Sequence, residues 1–391
     1  MTSNGASRLA ILRNRDFRRY LAARFFAGIA AQMLVIAVGW QVYQLTGRLL
    51  DLGLIGLSQF LPFVLFALFA GHAADRFDRR LILLLCALVQ LLCAASLLAF
   101  AVFRVAHAGP IFTVLAFLGV SRAFQMPTAQ SFMPNLVPIE SLPTAVAISS
   151  SSSQVATIAG PSLGGVVYSF AQAAYGSRGG AAWVYLAAAL LLLLSLWMLR
   201  SIRSRGTVRA AASVGAGQLL EGLRFVWRRK IVLGALSLDL FAVLFGGATA
   251  LLPAFTRDVL HAGPAVFGYL RSAPGIGAGL MALLLAFAPI RRRIGVTMFA
   301  GVAAFGVATL VFGLTRRFAV AMVALVVLGA GDMVSVFIRH VLVQLETPDE
   351  IRGRVSAVNS IFIGASNELG EFESGLTAAW FGLVPSIVIG G

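Results

Sequence analysis

Charge is the first scarcity. Only 12% of the 391 residues are charged, about half the share usual in soluble domains, so the chain has too little polar surface to cover a soluble body. Acid is scarcer than base, with 15 Asp+Glu against 31 Lys+Arg and a formal net charge of +16. Lysine is nearly absent: Lys230 stands alone beside 30 arginines. The two cysteines, Cys86 and Cys93, share one apolar run, and four histidines are scattered. That excludes a disulfide framework and leaves no zinc-ligand spacing. No Gly-x-x-x-x-Gly-Lys-Ser/Thr phosphate loop is present, which excludes ATP hydrolysis by that route. No soluble stretch could house a catalytic site. The expectation is therefore not an enzyme, with no cofactor and no metal. The stretch Met1 to Tyr20 lacks a short apolar core followed by a small-residue cleavage site, so it does not read as a cleaved signal.

What is present is apolar length. Hydrophobic residues make up 59% of the chain, which excludes disorder, and the mean hydropathy is +0.90. A charge of +16 raises a nucleic-acid partner first. These basic residues share the chain with long apolar runs, so membrane topology explains them better and no nucleic acid is expected.

A bilayer-crossing helix needs about 20 mainly apolar residues. Eleven windows qualify: Tyr20–Leu45, Leu50–Ala73, Leu81–Phe103, Pro110–Phe132, Leu142–Ala171, Ala181–Leu199, Ile231–Phe255, Ala265–Ala288, Ile294–Leu314, Ala319–Leu345 and Val355–Phe381. A twelfth apolar stretch opens at Leu383. An internal repeat accounts for this number. Shifting Gly119–Gly165 by 210 positions superposes Gly119 on Gly329, Pro138 on Pro348, Glu140 on Glu350, Gly160 on Gly370 and Gly165 on Gly375. A second echo, offset by 212, sets Pro62 on Pro274 and Arg79-Arg80 on Arg291-Arg292. The expected fold is thus an all-α polytopic membrane protein of two six-helix halves, with the chain stopping just inside its twelfth helix. The expected domains are a cytoplasmic N-terminus (1–19), an N-terminal bundle (20–199), a linker (200–230) and a C-terminal bundle (231–391).

Arginine counting sets the orientation. With the N-terminus inside, the inner loops carry 21 of the 31 basic residues and the outer loops six, Arg48, Arg104, Arg178, Arg257, Arg316 and Arg317. Four remain within spans: Arg24, Arg122, Arg271 and Arg339. The linker (200–230) could touch anionic headgroups or simply connect the halves on the inner face.

Three sequence segments carry candidate chemistry. The loop after the second span reads Gly71-His-Ala-Ala-Asp75-Arg76-Phe-Asp78-Arg79-Arg80. A carboxylate at a helix end beside clustered arginines can latch two helix bundles through charge-assisted hydrogen bonds; the alternative is a solvated topology loop. The fifth span contains Gly160-Pro161-Ser-Leu-Gly164-Gly165, residues that allow close backbone contact or a bend in a membrane helix. The eleventh carries Asn367-Glu368-Leu-Gly370-Glu371-Phe-Glu373-Ser-Gly375. Glu368 and Glu371 share a helix face, roughly 21 and 25 Å along the helix from Arg354. Carboxylates at such depth are costly and functional by default, and both read as proton carriers or as structural hydrogen-bond partners of a neighbouring helix. Three more charges lie near mid-depth: Arg122 and Asp332, each roughly 18 Å in, and Asp239, roughly 14 Å in. The repeat sets Arg122 and Asp332 at equivalent positions. Opposite charges at that depth form either a pair that breaks on protonation, and so couples, or a static pair that fixes register. By depth alone, Arg24 and Arg339 snorkel to one surface and Arg271 to the other.

These segments resemble the major facilitator superfamily. Gly71, Asp75, Arg76, Arg79 and Arg80 match its loop pattern Gly-x-x-x-Asp-Arg-x-Gly-Arg-Arg, with Asp78 in place of the second glycine; Gly160, Pro161, Gly164 and Gly165 match the core of its antiporter motif. Within it, the chain is similar to the bacterial branch of enterobactin exporters and macrolide-efflux-like proteins, on Ala123-Phe124-Gln-Met-Pro127 and Pro134-Asn-Leu-Val-Pro138 besides. The resemblance implies that spans one, four, seven and ten line a central cavity, placing Arg122, Asp239 and Asp332 there. It implies a proton-coupled exporter of a small amphipathic molecule, a drug or a siderophore, working as a monomer by alternating access in the bacterial inner membrane. A nutrient importer, a lipid translocator on the same fold and a non-transporting scaffold are the alternatives.

Overall fold

Backbone polar groups have no water to bond in hydrocarbon, so apolar runs of this length satisfy themselves as helices. The computed structural model describes residues 10–203, 216–288, 290, 293–348 and 351–391, and follows that rule. The helices are α1 (Arg15–Thr46), α2 (Leu49–Arg76), α3 (Arg79–Val102), α4 (Gly109–Phe132), α5 (Leu142–Tyr175), α6 (Ser177–Arg200), α7 (Ala216–Arg228), α8 (Lys230–Phe245), α9 (Pro264–Phe287), α10 (Ile294–Leu314), α11 (Phe318–Glu346), α12 (Arg352–Phe381) and α13 (Leu383–Gly390). Among the described residues nine helical stretches are long and apolar enough to cross a membrane. The two long helices outside that set are α5, which carries Ser149–Ser153, and α12, which carries Glu368, Glu371 and Glu373. Large apolar side chains such as Leu61, Leu65, Phe69, Leu280 and Phe287 are exposed along these helices, a surface that suits lipid rather than water. The chain is a multi-pass membrane protein.

Contacts divide the described chain into two units, one from Met1–Gln41 and Ser58–Ser213, the other from Val42–Leu57 and Val214–Gly391. The hairpin joining α1 to α2 thus packs with the second unit. In the first unit Tyr20 and Phe132 are buried with rings 5.7 Å apart, and the Tyr20 hydroxyl donates to the Ala129 carbonyl at 2.9 Å. In the second, Phe255 and Phe312 pack at 4.3 Å.

The repeat is visible in the backbone. Gly176 links α5 to α6 at φ 81° and ψ 177°, and Gly382 links α12 to α13 at φ 90° and ψ 166°. Only glycine adopts that region without strain. Gly119 of α4 lies directly on the Gln59 backbone of α2, and Gly329 of α11 lies likewise on the Pro274 backbone of α9.

Two expectations gain detail. The seventh span, long and apolar enough to cross as Lys230–Val259, is broken within. Helix α8 ends at Phe245, before the pair Gly246-Gly247, and the chain continues through a 3₁₀ turn (Ala248–Leu251) to a π-helical turn (Phe255–Val259). The linker, read as a polar connector, also contains helix α7. Its Val226 is buried in a cluster with Val232, Leu236, Val343, Val355 and Val358, and its Glu221 pairs with Arg354 of α12 at 2.6 Å.

Candidate functional site

Four polar residues of the second unit converge between α8 and α11. Asp332, Ser335 and Arg339 recur at i, i+3 and i+7, so they form one stripe on α11. Opposite them Asp239 of α8 is buried, with 3% of its surface exposed. Its Oδ1 accepts from the Ser335 hydroxyl at 3.1 Å, and its Oδ2 accepts from Arg339 Nη1. Arg339 is as deeply buried as its partner, at 3%. Arg339 therefore does not snorkel to a surface; Asp239 holds it inside. The reading by depth failed because it counted distance to a helix end and ignored the face. Asp239, Asp332 and Ser335, with Phe305 and Val302 of α10, line a cavity of about 10 Å³. That is room for one water-sized species and far too little for an organic cargo.

A second constellation lies on α12. Glu371 is half-buried, and its Oε1 stands 3.5 Å from Arg271 Nη2 of α9. Arg271, expected near a membrane surface by itself, is an ion-pair partner instead. Glu371 also abuts Gly56 of α2: a Cβ there would fall 3.0 Å from its Oε2. One turn along, Gly53 meets the Phe372 carbonyl and Gly375, with a Cβ on Gly375 only 2.6 Å from the Gly53 Cα. The start of α2 and the middle of α12 thus touch backbone to backbone. Glu368 is half-buried on the same face. Glu373 accepts from the Thr377 hydroxyl one turn on. Sequence reasoning missed Gly53 and Gly56, whose spacing of three puts both on one face of α2 but is not the four-residue spacing of the usual small-residue packing motif. It also missed a cluster with no local signal, in which the Tyr43 hydroxyl donates to Asp258 while the Arg257 guanidinium lies 5.5 Å from the Tyr43 ring centre.

In the first unit Arg122 is exposed, with its guanidinium 6.0 Å from the centre of the Phe63 ring, within the range of a cation–π contact. The antiporter-type segment packs on α1. A Cβ on Gly160 would fall 2.5 Å from Gln32 Cβ, and one on Gly164 would fall 3.0 Å from Met33 Cα. Pro161 and Gly165 are buried beside them, and α5 runs through Pro161 without breaking.

The loop between α2 and α3 is organised by Asp78, the residue that departs from the family pattern. It caps α3, its Oδ1 accepting from the Arg80 amide at 2.8 Å, which satisfies a helix-end donor. Arg79 is buried and donates to the Ser131 carbonyl at 3.0 Å; Arg80 donates from Nη2 to the Arg200 carbonyl at 2.7 Å. Both bonds stay within the first unit. Arg76 is exposed, and Gly71 has open space where a Cβ would stand. The Asp75 side chain, and Arg291 and Arg292 of the repeat's echo, lie outside the described residues.

The chain is similar to known proteins along nearly its whole length. The family described as transmembrane secretion effector, within the major facilitator superfamily, matches residues 6–391. The multidrug efflux pump Tap of Mycolicibacterium fortuitum is 26% identical over 379 residues, 93% of this chain and 89% of that protein. The enterobactin exporter EntS of Escherichia coli O1:K1 is 25% identical over 355 residues, 88% of this chain and 80% of that protein. Among solved structures, the nucleoside transporter NupG superposes with a TM-score of 0.74 at 14% identity, over 96% of this chain and 95% of that one. The identity to NupG is low enough that this last likeness speaks for the fold alone. With its two helical repeats, its buried intramembrane charges and a match along nearly its whole length, the chain belongs to the transmembrane secretion effector family of the major facilitator superfamily.

Proposed function

We propose that this protein is a proton-coupled exporter of small amphipathic organic molecules, a drug or a siderophore, with its N-terminus on the cytoplasmic face of a bacterial inner membrane. The observation that carries the reading is Asp239, a fully buried carboxylate held by Arg339 and Ser335 beside Asp332. A buried ion pair left with one partner is strongly destabilised. Protonation of Asp239 therefore frees Arg339 to find another acceptor, and Asp332 lies about two turns away on the same stripe. In this scheme α8 and α11 take up two arrangements according to the proton, and the cavity opens to one face or the other. Glu371, paired with Arg271 and set against Gly56, carries a second proton-sensitive contact, with Glu368 beside it. Arg122 supplies the counter-charge, and Gly71, Asp75, Arg76, Arg79 and Arg80 form the gating loop. The names of the relatives favour export over import. The family antiporter pattern at Gly160, Pro161, Gly164 and Gly165 points the same way.

The test is transport in proteoliposomes under an imposed pH gradient, with a fluorescent cationic dye and a catecholate siderophore as the two cargo probes. Wild-type protein concentrates one of them against its gradient. Asp239→Asn and Glu371→Gln abolish the pH-driven component while leaving downhill exchange. Uphill transport that survives both substitutions contradicts the coupling assignment.

A further inference from the structure

A groove of the first unit lies between α3 and α6, beside the loop that joins α2 to α3. It encloses about 700 Å³, within the range that binds drug-sized ligands. Its walls are apolar and exposed, with Leu81, Leu85 and Leu88 from α3 and Leu193 and Trp197 from α6. Its polar lining residues are Asp78, Arg80 and Arg200.

Their order along the helices fixes the polarity of the groove. Arg80 stands at the start of α3 and Arg200 at the end of α6. The two helices run in opposite directions past each other, so both arginines fall at the same level. The Arg80 side chain confirms this by donating to the Arg200 carbonyl at 2.7 Å. From that level the leucines descend one helical face, Leu88 lying roughly 12 Å below Arg80 and Leu193 roughly 10 Å below Arg200. One end is cationic and the rest is hydrocarbon. The Asp78 carboxylate at the mouth is engaged in capping α3, and the three charges leave the mouth net positive. Two features show unused capacity there. Arg80 Nε is buried with no hydrogen-bond partner, and the exposed Arg200 guanidinium has no partner among the described residues.

We propose that this groove is a selective site for an anionic phospholipid, with the phosphate between Arg80 and Arg200 and an acyl chain along Leu81–Leu88 and Trp197. Arginine suits that head group because its planar fork bonds two phosphate oxygens at once. A zwitterionic lipid fits the walls equally well and is distinguished only at the mouth. The site shares Arg80 with the gating loop proposed above, so it is tested on Arg200 and Trp197, which that reading does not use.

Trp197 makes the site observable. The full-length protein is reconstituted in phosphatidylcholine vesicles containing 5 mole percent of phosphatidylglycerol brominated on its acyl chains. The fluorescence of Trp197 is isolated as the difference between wild type and Trp197→Phe. Quenching several-fold above that expected for random mixing is the expected result. It falls to the random level in Arg200→Ala and is partly kept in Arg200→Lys. Brominated phosphatidylcholine at the same fraction quenches only at the random level. As a second measurement, mass spectrometry of wild type and Arg200→Ala eluted from native membranes should show a bound anionic lipid that the variant loses. Random-level quenching in wild type, equal quenching by both lipids, or a lipid adduct unchanged by Arg200→Ala would each overturn the proposal.

Discussion

Asp239 and Arg339 are 100 positions apart in the chain and meet in a part of the protein with almost no solvent. Desolvating two ions costs several kcal/mol each, so the pair is a weak stabiliser, while either ion left alone is a liability of about 3–5 kcal/mol. Arg339→Leu should therefore lower thermal stability in detergent by about that amount. The double substitution Asp239→Leu with Arg339→Leu should recover most of the loss, because two apolar side chains need no partner. Thermal unfolding of the three proteins checks it, and a double variant no more stable than the single one would contradict it. The depth argument found Asp239, Asp332, Glu368 and Glu371, because an acid inside an apolar run is conspicuous. It did not find their partners. Arg339 and Arg271 lie close enough to helix ends to look like snorkelling residues, and only the helical stripe Asp332–Ser335–Arg339 carried the right signal. Glu371 and Arg271 sit 100 positions apart on separate helices, and no local pattern connects them.

At the scale of elements, the apolar windows form helices, apart from the break at Gly246-Gly247, and the stretch 200–230 adds a further helix. Helix α7 is hidden in the Arg-rich stretch 200–230, yet Leu219, Leu223 and Val226 recur at helical spacing. The break in the seventh span is marked by adjacent glycines, which an apolar average smooths over. The packing of α5 on α1 gives a prediction. A side chain at Gly164 meets the Met33 backbone at 3.0 Å, so Gly164→Val should cost about 1–3 kcal/mol through overpacking. Gly71 faces open space, so Gly71→Ala should leave stability unchanged or raise it by up to about 1 kcal/mol, since alanine is the better helix former. Unfolding midpoints of the two variants decide between this ranking and one in which the family pattern makes Gly71 the indispensable residue.

For the whole molecule, the repeat was the most legible feature, because packing glycines keep their spacing when little else does. Gly119 and Gly329 occupy matching contacts in the two halves. The division into units was less legible. The hairpin 42–57 joins the second unit through glycine contacts on α12 that no hydropathy window registers. The arginine distribution makes a prediction at this scale. Cys86 and Cys93 are buried and should give little background to surface labelling. A cysteine replacing the exposed Arg48 or Arg316 should react with an impermeant maleimide in intact cells. One replacing Arg76 should react only after the membrane is opened. Coupling is the central claim, and proton movement during transport tests it most directly. A pH-sensitive dye is sealed inside proteoliposomes, and an outward gradient of the transported probe is imposed with no pH gradient present. Acidification of the lumen in proportion to cargo leaving, absent in Asp239→Asn, is the predicted result. Cargo efflux at the wild-type rate with no change in luminal pH would contradict it.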